Sequence, residues 1–194
     1  MGHSADSDSD ETLMLRYRDG DAAAFDLLYA RHKTPLFRFI SHQCRQAERT
    51  QEIFQEVWMK VIGARDRYRP DENAQFRTWL FTIARNAVMD HFRSQARGDA
   101  ELFENDEEES VVVQLPAPRT ELPEVRAASR EQGEAILKAL EALPAPQREA
   151  FLLYEEGGLS VEEIAKAAGI SFEAAKSRLR YAVAKLREGL REYA

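Results

Sequence analysis

The chain has 194 residues, 44% of them hydrophobic, enough for one large or two small domains with modest cores, which excludes disorder throughout. No apolar run approaches the roughly 18 residues a membrane-spanning helix needs, and no basic segment followed by an apolar core opens the chain, so a cytoplasmic protein is expected. Cys44 is the single cysteine, which excludes intrachain disulfides and Cys-rich zinc sites, and the net charge of −7 speaks against nucleic acid only until it is divided along the chain.

Residues 1–12 hold four acids and no Lys or Arg, whereas residues 13–97 hold 15 basic against 10 acidic side chains, a net of +5. Residues 98–127 hold two Arg against nine acids. Residues 128–194 stand at −1, yet 171–191 within them has six basic side chains against two acids. Two basic surfaces separated by an acidic stretch predict nucleic-acid contact at two places.

Residues 1–9 are expected to form a disordered tail. Beyond them, apolar residues recur at three- and four-residue spacing through Phe25, Leu28 and Tyr29, then through Ile53, Val57 and Val61 with Phe54, Trp58 and Ile62 on the adjoining stripe. That period predicts helices. A breaker from Pro70 to Asn73 precedes a third long pattern, Trp79, Leu80, Ile83 and Ala87, which runs to about Arg97. The stretch 98–127 combines the charge run Asp106-Glu107-Glu108-Glu109 with Pro116, Pro118 and Pro123. It cannot bury enough apolar area to offset ordering entropy and reads as a flexible linker. Helices follow near 128–142, 146–155, 160–167 and 171–191, with Pro144 and Pro146 breaking the first from the second. The expected fold is all-α, with small helical domains at 10–97 and 128–194.

Near the C-terminus, Ser160-Val161-Glu162-Glu163 is a capping box, in which the Ser hydroxyl accepts from the Glu163 amide and the Glu side chain reaches back. A short helix starts there and stops at Ala168-Gly169-Ile170, where Gly169 suits the positive φ of a tight turn. A second N-cap, Ser171, opens a longer helix. This is helix-turn-helix spacing. The second helix carries Lys176, Ser177, Arg178 and Arg180 near its start, within reach of phosphates and base edges in a major groove.

The segments Leu140–Pro144, Arg148–Leu153, Gly158–Ala165, Gly169–Ser171 and Lys176–Leu179 resemble region 4 of the extracytoplasmic-function (ECF) sigma factors of bacterial RNA polymerase. Gly20–Phe25 with Leu28-Tyr29, Gln55–Trp58, Phe76–Leu80 and Ile83–Asn86 to Asp90 resemble that family's region 2. The resemblance implies that Lys176, Ser177, Arg178 and Arg180 read a promoter's −35 element. It also implies that Glu48, Glu52, Gln55, Glu56 and Met59, which share one face of the second long helix, dock on a coiled coil of the largest polymerase subunit, with the flap of the second-largest subunit as a further contact. For the −10 element it implies Asn73, Gln75, Phe76, Trp79, Arg85, Asn86, Asp90 and Arg93. These supply stacking surfaces, edge-reading amides and carboxylates, and cations for the phosphates of a locally opened strand. Two departures stand in the reading helix: the family's usual Thr-Val is Ala174-Ala175, and a customary Arg is Tyr181.

A third departure precedes the docking face. Where relatives carry an acidic Asp-Ala-Glu-Asp segment, this chain has Arg49-Thr50-Gln51-Glu52. Phosphate on Thr50 would restore about −1.5 to −2 charges, and a helix's first turn favours it electrostatically. The expectation is a switch by a Ser/Thr kinase in place of an anti-sigma protein, as in a small subgroup of the family. The plainer expectation is that Thr50 caps the helix.

Catalysis finds no foothold. His3, His32, His42 and His91 form no metal pair, and neither a phosphate-cradling Gly loop nor a nucleophile elbow occurs, so no cofactor or metal is expected. The rival to a sigma factor is a self-contained helix-turn-helix regulator that binds operator DNA as a dimer. Against it stand the second basic surface in 60–97 and the lack of a heptad seam.

Overall fold

Helix α1 (Asp10–Arg18) begins where the Ser9 hydroxyl accepts a hydrogen bond from the Thr12 amide, with acids in its first turn and arginines in its last, matching the helix dipole. The computed structural model describes residues 8–70, 75–98 and 133–191. Asp21 caps α2 (Ala22–Cys44), which ends at Arg45 in the left-handed conformation, φ 61°, the one positive-φ residue other than glycine among those described. Helix α3 (Ala47–Gly63) and a 3-10 turn (Arg65–Arg67) lead to α4 (Phe76–Gly98), whose first amide donates to Glu11 of α1 at 3.0 Å.

These four helices enclose a first core of Leu13, Leu28, Phe39, Val57, Leu80 and Val88. The alternation of apolar and polar residues at helical period is what closes it, since each helix has one stripe to hide. Aromatic rings from α2 and α3 (Phe25, Tyr29, Phe54 and Trp58) interleave at centroid separations of 5.0–6.4 Å. Asp10 ties α1 to α2 through His32 Nε2 at 2.6 Å and Arg31 at 2.9 Å. Burial pushes the Asp10 carboxyl up, but these partners outweigh it and hold it below the ordinary aspartate value. Cys44 lies buried in the last turn of α2.

The second bundle comprises α5 (133–141), α6 (Ala145–Glu155), α7 (Val161–Ala168) and α8 (Phe172–Gly189). Pro144 is the N-cap of α6 and Pro146 lies in its first turn, where a missing amide hydrogen costs nothing, so the expected break falls there. Among the described residues all eight elements longer than a turn are α-helices and there is no strand, as expected for an all-α fold. The expected tail and linker lie outside the described residues, apart from 8–9 and 98. One feature went unforeseen: α4 packs on α7, and α2 on α6, so a single continuous core runs through both bundles.

Candidate nucleic-acid interface

The turn between α7 and α8 is built as its residues dictate. Ser160 accepts from the Glu163 amide at 3.2 Å while the Glu163 carboxylate accepts from the Ser160 amide at 2.8 Å, completing the capping box. Gly169 closes α7 at φ 66°, a conformation that costs glycine nothing. The Ser171 hydroxyl then accepts from the Ala174 amide at 3.2 Å and starts α8.

Helix α8 is anchored by a narrow seam of Ala175, Ala182 and Leu186, leaving most of its circumference open. Lys176 and Arg180 are exposed, and Ser177 is half-buried on the outer side between them. Arg178 differs. It lies three residues after Ala175 and four before Ala182, so it flanks the packed seam and is half-buried.

Helix α4 is held on more sides. Trp79, Asn86, Asp90 and Arg93 recur at helical spacing and form one outward stripe, with Asn86, Asp90 and Arg93 exposed and an Arg93–Asp90 pair at 3.2 Å. Gln75 is exposed just before the helix, and Asn73 lies outside the described residues. Two expected −10 readers are elsewhere. Phe76 is 0% exposed, its ring packed among His32, Tyr68 and Trp79, so it is a core residue and no stacking platform. Arg85 faces the second bundle and donates from Nε to Glu149 at 2.8 Å.

On α3, Glu48, Glu52, Gln55, Glu56 and Met59 are all exposed on the side away from buried Ile53, Val57 and Val61, and Met59 is 66% exposed. Glu52 pairs with Arg49 at 2.8 Å and Glu56 with Lys60 at 2.6 Å. Thr50 is not the cap of α3, and its hydroxyl is turned inward in this conformation. The N-cap of α3 is Gln46, and Thr50 is the fourth residue of the helix, only 1% exposed, its hydroxyl donating to the Gln46 carbonyl at 2.7 Å. Neither a cap nor a hydroxyl open to a kinase exists there in this conformation, because α3 turns that side of its first turn inward.

Residues 28–98 match the family Sigma-70 region 2 and residues 133–186 match Sigma-70, region 4. The chain is 35% identical over 179 residues to the RNA polymerase sigma factor CarQ of Myxococcus xanthus, covering 92% of this chain and 96% of that protein. It is also 30% identical to the ECF RNA polymerase sigma-E factor of Escherichia coli K12, with 81% of each covered. The chain belongs to the ECF-type sigma-70 family. In solved structures the sigma factor's fold is similar to CnrH, determined with the cytosolic domain of CnrY, at a TM-score of 0.65 and 24% identity over 96% of this chain and 100% of that one. It is similar too to the sigma factor RpoE of Bartonella quintana, determined with the anti-sigma factor NepR, at a TM-score of 0.67 and 25% identity over 86% and 96%.

This alternative sigma factor thus carries its DNA-binding helix-turn-helix in region 4, on α7 and α8. Sequence reasoning overlooked exposed Phe172 and Glu173 on α8 and saw in Tyr181 only a departure from the family. Phe172 lies under the Lys176 ammonium at 5.8 Å, and Tyr181 under the Arg180 guanidinium at 5.3 Å, so each cation rests on a ring. Glu173 opens on the same outer side as Ser177 and Arg180. The signal was present in the spacing: Phe172 and Lys176 stand four apart, and Glu173, Ser177 and Arg180 follow at four and three.

Proposed function

We propose that this sigma factor docks on core RNA polymerase through the exposed α3 face and brings two separate surfaces to a promoter, the α4 stripe with Gln75 to the −10 element and the outer side of α8 to the −35 element. The observation that carries this reading is the α4 stripe: exposed Asn86, Asp90 and Arg93 continue the line of Trp79, which packs on Tyr68 and Phe76 and keeps part of its ring open, and together they supply the groups an unstacked strand needs. A dimeric operator-binding regulator would have no use for it. The test is in vitro transcription with core polymerase beside gel shifts with and without core. Promoter-directed product, and duplex binding that depends on core, are expected; tight operator binding by the free protein with no transcript favours the rival. Gln55→Ala with Glu56→Lys is expected to abolish capture by core while circular dichroism stays unchanged.

An inhibitory protein is part of this proposal. The Bartonella relative was solved with an anti-sigma factor, which supports a partner of that class more than the kinase-only regulation expected from the sequence. Phosphorylation at Thr50 remains compatible only with a state in which the first turn of α3 has opened, and its support is the charge-poor run Arg49–Glu52. Full activity of Thr50→Ala on core polymerase removes the phosphorylation step and leaves the rest of the proposal intact.

A further inference from the structure

The side chain best placed on α8 to touch a base carries the wrong charge for DNA. The buried seam of Ala175, Ala182 and Leu186 fixes which way the helix faces. At about 100° per residue, Glu173 and Ser177 stand about 160° around the helix from the centre of that seam, Arg180 about 140° and Lys176 about 100°. Arg178 stands only about 60° from it. Glu173 is also the second residue of α8, and it is exposed. A helix laid in a major groove presents the residues of its N-terminal turns to the base edges.

No described side chain neutralises this carboxylate. Lys176, three residues on, lies over the Phe172 ring at 5.8 Å, and Arg180 lies over the Tyr181 ring at 5.3 Å. Glu188, the other acid on α8, shows the alternative: it pairs with Lys185, three residues before it, at 3.0 Å. Glu173 makes no hydrogen bond or ion pair among the described residues. Facing phosphates, a free carboxylate lowers affinity for every sequence, because duplex binding works through positive charge. An acid in the first turn also favours the helix dipole, but that role is blind to the base sequence.

The chemistry of the groove decides what such a group selects. A carboxylate only accepts hydrogen bonds. In the major groove guanine offers the acceptors N7 and O6, thymine the acceptor O4 beside a methyl group, and adenine an amino donor beside the acceptor N7. Cytosine alone meets a carboxylate with a donor, its N4 amino group, and no acceptor. Guanine and thymine leave the charge desolvated against lone pairs, so discrimination comes from exclusion as well as attraction.

We infer that Glu173 is a specificity-determining residue that reads a cytosine on one strand of the −35 element through its N4 amino group. The assignment rests on the proposed approach of α8 to that element.

The experiment uses the full chain assembled with core polymerase and a promoter library randomised across the −35 element, sequenced before and after capture. The parent should enrich cytosine over guanine and thymine by about tenfold at one position. Glu173→Gln should move that position toward adenine, whose N6 and N7 a carboxamide matches in a bidentate pair. Glu173→Ala should erase the preference there while the other positions keep theirs, and should tighten binding to unrelated duplex at the same salt. Enrichment at −35 that Glu173→Ala leaves unchanged overturns the assignment alone, as does a cytosine preference that Glu173→Gln retains. A lower melting temperature in both variants, with the parent's base preferences intact, returns Glu173 to the helix dipole and overturns it too. A parent that binds core yet enriches nothing at −35 overturns the reading of α8 itself, and the assignment with it.

Discussion

Helices α4 and α8, the two proposed to face promoter DNA, are held in opposite ways. Helix α8 rests on two alanines and a leucine, so nearly its whole outer surface is available, and its cations are steadied by aromatic rings on the helix itself. Helix α4 is gripped by its own bundle along Leu80, Ala84 and Val88 and by the second bundle along Thr78, Phe81 and Arg85, leaving one stripe free. A thinly anchored helix can tolerate change at most positions, whereas a helix packed on two sides converts most substitutions into folding defects.

The strongest challenge to this contrast is Phe76→Ala. Deleting a fully buried ring costs about 3–5 kcal/mol, so thermal unfolding of the first bundle should fall sharply. A variant that keeps its melting temperature and loses only −10 recognition would return Phe76 to the DNA. Next come Lys176→Ala and Arg180→Ala, each expected to weaken −35 binding by about 1–3 kcal/mol where a base contact is lost, with core binding intact. Arg178→Ala should act less on recognition, because that side chain flanks the seam. Footprinting of the three variants at matched salt orders them, and a dominant Arg178 effect would reverse the assignment of faces. Ser171→Ala should cost about 1 kcal/mol through loss of the α8 cap, read in the denaturation midpoint.

The smallest expected effect is on pH. Burial, with Arg38 and Arg148, lowers the His42 imidazole below its ordinary value of 6.5, against the pull of Glu141. The packed form therefore binds fewer protons than one in which His42 is hydrated, and its stability rises with pH across that interval. As pH falls below about 6.5 the seam between α2 and α6 should loosen, and His42→Gln should flatten that dependence. Denaturation midpoints of the parent and of His42→Gln measured across that pH range check it.

How much of this was legible depended on whether a feature was local. The capping box at Ser160, the turn at Gly169 and the cap at Ser171 are settled within four residues of themselves, so the helix-turn-helix was plain in the sequence. The exposed face of α3 followed from its apolar period alone. Phe76 and Arg85 could not be placed that way, because a helical period locates one packed stripe and is silent about a second helix bundle packed on another side. Thr50 failed for a related reason: locating the start of α3 at Ala47 requires knowing that Arg45 turns left-handed, and no glycine marks it. The contacts between bundles join residues as far apart as Arg45 and Glu141, with no sequence signature.

The buried cysteine has a practical consequence. Burial pushes the Cys44 thiol up to about 11, so only about one molecule in ten thousand carries the reactive thiolate at neutral pH. Oxidants and alkylating reagents should pass the packed protein by, and air should not link copies through disulfides. Since Cys44 adjoins Arg45, which spans to the second bundle, a pulse of maleimide becomes a clock: its rate of incorporation, followed by mass spectrometry, counts how often the end of α2 is laid bare.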